Sequence, residues 1–192
     1  MFFRRDIQIL QTERLILRLP ATADCTEWVN LRRDSANFLE PWEPVRDGAY
    51  LTRRAFQNRV GWAKRLAKER RALNMLIFHR DDGHLVGGIT LDNIQAGVSK
   101  SCTVGYWMGE NFTRQGYMAE ALNASVQHAF TVLDISRIQA GCLPENAPSR
   151  ALLEKSGFKY EGVAQSYLKI AGRWRNHVLY ANLRRDRRGR TD

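Results

Sequence analysis

The segment "SCTVGYWMGENFTRQGYMAEAL", residues 101 to 122, decides the fold. Its first part, 101 to 109, is rich in β-formers and reads as a strand. Downstream, Met118, Leu122, Val126 and Phe130 recur every four residues, which predicts a helix over 116 to 133 with one buried face. Gly116 sits between them, just after the polar Thr113, Arg114 and Gln115. A helix N-terminus leaves N–H groups unpaired and carries about half a positive charge, so it attracts an anion. Phosphate oxygens must come close to that backbone, and a glycine removes the side chain in their way. Arg114 adds a formal charge nearby. The turn is therefore either a site for an anion such as a pyrophosphate or plain strand-to-helix turn chemistry. It is neither a Walker loop nor a G-x-G-x-x-G fingerprint.

Working outward, "ILQTERLILRLP" (9 to 20) alternates Leu15, Leu17 and Leu19 with charged neighbours, a strand closed by Pro20. "TADCTEWVNLRRD" follows as a helix with Trp28 and Leu31 on one face. Two prolines make "NFLEPWEPV" (37 to 45) an irregular loop. An amphipathic helix then runs to about Arg71, with Phe56, Val60 and Ala63 at helical spacing. "LNMLIFHR" and "HLVGGITLDNI" flank the turn "DDG" as a hairpin. After the central helix, "SRIQAGCLP" is a strand. "NAPSRALLEKSGF" is a short helix with Asn146 as N-cap, Pro148 in the first turn and Gly157 at the left-handed stop. "KYEGVAQSYLKI" and "WRNHVLYANL" form a last hairpin around "AGR". The order β-α-α-β-β-β-α-β-α-β-β predicts a mixed α/β domain with a mostly antiparallel sheet. One domain over 1–184 with a basic tail, 185–192, is expected.

Composition narrows the classes. No apolar run is long enough to span a membrane, and "MFFRRDIQIL" is no secretory signal. Cys25, Cys102 and Cys142 are unpaired in number and widely spaced, which points to a reducing compartment, without disulfides or a metal. A cytoplasmic protein is expected. Thirty Lys and Arg against twenty Asp and Glu give a net charge of +10, concentrated in "KRLAKERR" (64 to 71) and "RRDRRGR" (184 to 190). Such runs suit polyanions through salt-sensitive attraction, or are simply solvated. No motif supports sequence-specific nucleic-acid binding.

The strand "VGYWMG", the turn "TRQGYMAEAL", the next strand and "NAPSRALLEKSGF" together resemble the GNAT family of acetyl-CoA-dependent N-acetyltransferases. That family's signature, Gln/Arg-x-x-Gly-x-Gly/Ala, maps onto Thr113 through Met118, with departures at Thr113 and Met118. "TERLILR", "FLEPWEPVRD", "GYMAEAL", Asn146-x-x-Ser149, "GFKYEG" and "GRWRNHVL" look like its branch that acetylates the N-terminal alanine of small-subunit ribosomal proteins, most nearly the type acting on the fifth of them.

The resemblance implies direct attack of a free amine on the acetyl-CoA thioester, with no metal. Backbone of Trp107 and Met108 would align pantetheine. Arg114, Gln115, Gly116, Met118 and Ala119 would hold the pyrophosphate. Asn146 would fix the pantetheine or only cap its own helix. Glu43 is the candidate to hold or deprotonate the amine. Ser149 is the candidate proton donor to the thiolate, because the position where many relatives carry a tyrosine is Leu153. Glu120 is read as a helix-dipole partner and Cys142 as a small buried hydrophobe. A ribosomal protein N-terminus is the expected substrate, with ribosomal RNA as a salt-sensitive partner. A small-amine acetyltransferase and an inactive RNA-associated scaffold stay open as alternatives.

Overall fold

The computed structural model describes residues 10 to 187. Eight strands form one sheet in the order β1-β2-β3-β4-β5-β6-β8-β7. They are β1 (Leu10–Gln11), β2 (Leu15–Arg18), β3 (Leu73–His79), β4 (Leu85–Gln95), β5 (Ser101–Met108), β6 (Arg137–Cys142), β7 (Lys159–Ile170) and β8 (Arg173–Leu183). Helices α1 (Cys25–Asp34), a single turn α2 (Ala36–Leu39), α3 (Arg53–Lys68), α4 (Tyr117–Thr131) and α5 (Ala147–Lys155) complete it. Every ladder is antiparallel except β5 with β6. The expected mixed α/β class with a mostly antiparallel sheet holds.

Strand alternation divides the interior in two. Met75 and Ile77 of β3 face one way and join Leu15, Leu17, Leu122, Ala129, Leu153 and Phe158 in the larger core, under α4 and α5. Leu76 and Phe78 face the other way and pack with Trp28, Phe56 and Val60 of α1 and α3. Trp107 belongs to this second side, whereas its neighbour Tyr106 belongs to the first.

Local expectations were revised in three places. The strand anticipated over 9 to 20 is broken into β1 and β2, because the Thr12 hydroxyl accepts from the Leu15 N–H at 3.0 Å and closes a turn. The proline loop at 37 to 45 carries α2 and a short 3₁₀ turn (Glu40–Trp42) before it becomes extended at Glu43. On α4 the deepest positions are Ala121, Leu122, Ser125 and Ala129, with Met118, Val126 and Phe130 only partly buried. Small side chains let the helix lie close to the sheet, so the larger ones splay to either side.

Candidate active site

The parallel pair creates the site. Pairing between β5 and β6 runs from Ser101↔Arg137 to Thr103↔Gln139 and stops there. Beyond that point β5 stays bonded to β4 as far as Met108, and β6 to β8 as far as Cys142. The two strands therefore diverge, and a wedge opens along Val104–Met108. Because β5 and β6 are parallel, α4 and α5 both begin beyond their carboxyl ends. Two helix N-termini thus face the mouth of one wedge, the place where open sheets take ligands.

Gly116 is the N-cap of α4 and has φ +81°, a left-handed conformation that L side chains rarely adopt. Arg114 also has a positive φ, +60°, and is exposed. The Gln115 side chain donates to the Asn111 carbonyl at 2.9 Å and so braces the turn. Met118 packs partly buried against the core. A second cation, absent from the sequence expectations, comes from the β1–β2 turn. The Arg14 guanidinium donates to the Gln115 carbonyl at 3.0 Å and to Glu120 at 2.7 Å, and it lies over Tyr117. Glu120 also accepts from the Thr12 hydroxyl and the Arg14 N–H. Its carboxyl group is held below its ordinary pKa by these partners, against the opposing effect of burial. Glu120 therefore clamps the β1–β2 turn to α4, beyond the dipole role expected of it.

At the other helix, Asn146 accepts from the Ser149 N–H at 3.1 Å, the N-cap geometry. That bond leaves the amide NH2 and the oxygen's second lone pair for another partner. The Ser149 hydroxyl lies 2.8 Å from the Tyr106 hydroxyl, across the wedge from β5. Burial pushes the Tyr106 phenol well above its ordinary range, with the Ser149 hydrogen bond opposing the shift. This phenol stays protonated at neutral pH. Leu153, where many relatives carry tyrosine, is 1% exposed and packs in the core. Tyr106 brings a phenol to the wedge from a different element, and only its place on the inward face of "VGYWMG" hinted at it. Burial also raises the Cys142 thiol, which keeps that cysteine an unreactive neighbour.

Glu43 does not stand free. Both of its oxygens accept from the Arg32 guanidinium, through Nη1 at 2.9 Å and through Nη2. Arg32 is 7% exposed and Glu43 only partly buried, so the carboxylate is committed to a bidentate ion pair at the edge of the core. Both oxygens of the candidate that was to hold or deprotonate the amine are thus engaged by Arg32. Trp107 sits beside this pair, with Arg32 over its ring at 4.7 Å. Gly88 permits that placement, since a Cβ there would meet the indole nitrogen at 2.5 Å.

The basic run 64 to 71 is mostly exposed. Arg184 is not frayed, for it binds Asp134, Asp186 and the Phe130 carbonyl. Arg185–Arg187 form a 3₁₀ turn, and the rest of the expected tail lies outside the described residues. Among the described residues no group of three or more His, Cys, Asp or Glu could hold a metal ion, and no helix is long and apolar enough to cross a membrane. A larger cavity, about 510 Å³, lies beside Lys100 and Asp134 at the start of β5, away from the wedge.

A family profile described as an acetyltransferase (GNAT) domain matches residues 14–159. The chain is 35% identical over 172 residues to the ribosomal protein uS5-alanine N-acetyltransferase of Escherichia coli (strain K12), covering 90% of this chain and 89% of that protein. The ribosomal-protein-S5-alanine acetyltransferase of Vibrio fischeri superposes with a TM-score of 0.87 at 27% identity, over 93% of this chain and 98% of that one. RimJ of Mycobacterium smegmatis, solved in complex with CoA-disulfide, superposes with a TM-score of 0.86 at 30% identity, over 95% of this chain and 89% of that one.

Proposed function

The chain belongs to the GNAT acetyltransferase family, and on that premise we propose that it acetylates the N-terminal alanine of a ribosomal protein of the uS5 type. The observation that carries the reading is the wedge between β5 and β6, with a left-handed glycine turn at one side of its mouth and a paired serine and tyrosine at the other. The residues fit acetyl-CoA. The α4 N-terminus with Gly116, Arg114, Met118 and Ala119 would take the pyrophosphate, and the backbone of Trp107 and Met108 would take pantetheine. The coenzyme supplies the acetyl thioester and departs as the thiol.

In this scheme the amine nitrogen forms a bond to the acetyl carbon as the carbon–sulfur bond breaks. Ser149 gives its proton to the sulfur and is re-protonated from Tyr106 and then from water. The proton lost by the amine passes to water, which balances the one water returns to Tyr106, and it needs no strong base. An α-amine titrates near 7.7 to 8.0, so about a tenth is neutral at pH 7, whereas a lysine near 10.4 is almost wholly charged. The similarity to uS5-alanine acetyltransferases across most of the chain supports the acceptor. The unit proposed to act is a single domain, 1–184, with 185–192 as a basic appendage, working in the cytoplasm. The exposed basic run at 64 to 71 favours ribosomal RNA as the surface that brings enzyme and substrate together.

The test is acetyl transfer to a peptide beginning with alanine, set beside the same peptide with a blocked N-terminus and one internal lysine. The first should be much the better substrate. Equal rates, or a preference for lysine or for a diamine, would refute the assignment.

A further inference from the structure

On the α1/α3 side of the sheet, next to the wedge, lies a cavity of about 200 Å³ whose charged lining is Arg32, Arg46, Arg59 and Glu43. Three guanidinium groups against one carboxylate leave it strongly positive. Glu43 is already committed to Arg32 through both oxygens. The Nε atoms of Arg32 and Arg59 are buried with no hydrogen-bond partner. All three guanidinium groups converge on one ring: Arg32, Arg46 and Arg59 lie 5.5, 4.8 and 4.9 Å from the centre of Tyr50.

Gathering like charges at a partly buried site is unfavourable unless something compensates. Stacking on Tyr50 and Trp28 offsets a part of the cost. It does nothing for the mutual repulsion, and Arg46 and Arg32 both disfavour the charged form of Arg59, on top of its desolvation. A bound anion would satisfy the orphaned donors and the charge together. Guanidinium forks match a planar carboxylate through paired N–H groups.

The position says which molecule carries that anion. Trp107 lines the cavity and also lies on the splayed stretch of β5 proposed above to align pantetheine. An acceptor whose amine reaches that strand runs out past Trp107. At about 3.3 Å per extended residue, the side chains of its second to fourth residues fall over the arginines.

We propose that this cavity reads a carboxylate on the acceptor, supplied by an acidic side chain within the first four residues of the substrate protein. The inference rests on the N-terminal acetylation proposed above. It also gives a +10 enzyme a local means of choosing among basic ribosomal proteins, by one early acidic residue. The same chemistry could come from the α-carboxylate of a free amino acid, and the experiment separates the two sources.

Ala-starting peptides with Glu or Gln at position 2, 3 or 4 are compared with free amino acids and their amides, using the parent chain and an Arg46→Gln/Arg59→Gln variant. Turnover is measured together with calorimetric binding to the CoA-loaded enzyme, and folding is checked by circular dichroism. Glu at one position should raise kcat/KM by about tenfold or more over Gln, mainly through KM, the scale of one charge-assisted contact. The double variant should bring that ratio close to one. Ala peptides turned over with no Glu preference would overturn the carboxylate site and leave the N-terminal reading intact. Free amino acids preferred over their amides, with peptides inert, would keep the site and refute the peptide acceptor. Absence of any carboxylate preference in both rate and binding would overturn the site whatever the acceptor.

Discussion

Removing either hydroxyl of the Ser149–Tyr106 pair should slow the reaction to the same extent, and removing both should do no further harm. The two oxygens are 2.8 Å apart, and Tyr106 is partly buried with its pKa raised, so in the proposed relay a proton leaving Ser149 would be replaced along this bond. A positioned acid contributes about 10²-fold at the low end, close to 2.7 kcal/mol at 1.36 kcal/mol per decade. Ser149→Ala and Tyr106→Phe should each lower kcat by about 10²-fold with little change in KM for acetyl-CoA. If they act as one unit, the double variant should also fall by about 10²-fold, where independent groups would give about 10⁴. Each loses one hydrogen bond, about 1 kcal/mol, which in a chain of this size lowers Tm by about 2 to 4 °C. Stopped-time acetylation of an Ala peptide, with Tm on the same preparations, reads both quantities. Multiplicative losses would refute the relay, and an unchanged kcat in Ser149→Ala would remove that residue from the chemistry.

Other outcomes follow from the same geometry. Gly116→Ala should cost about 1 to 2 kcal/mol through its left-handed φ and weaken CoA binding, and Gly116→Val should abolish tight binding; calorimetry showing parental affinity in the valine variant would undo the pyrophosphate assignment. Asp134 accepts from Lys100 at 2.5 Å and Arg184 at 2.8 Å, and these partners hold its pKa down to about 2 from 3.8. Its contribution to stability is therefore complete above about pH 4 and is lost as pH falls toward 2, so Asp134→Asn should flatten the acid limb of a denaturation profile. An identical limb in that variant would show that the pair contributes nothing. Association with ribosomal particles should weaken steeply with salt, and salt-independent binding to the free substrate protein with none to particles would refute an RNA contribution.

Where local chemistry is self-sufficient, the chain itself was informative. The spacing of Phe56, Val60 and Ala63 made α3, "DDG" and "AGR" made hairpins, and Asn146 with Gly157 bounded α5, all through neighbours a few residues apart. Gly116 was readable for the same reason, since its conformation and the helix it opens are one local feature. Tertiary structure decided the pairings. Tyr106 meets Ser149 across 43 residues, and Arg14 reaches Glu120 across 106. Arg32 takes up Glu43 only because α1 and the proline loop fold over Trp107. Periodicity says which face of an element is buried, but it is silent on which distant side chain will satisfy a polar group there. Whether a carboxylate such as Glu43 stands free or is held in an ion pair depends on that partner.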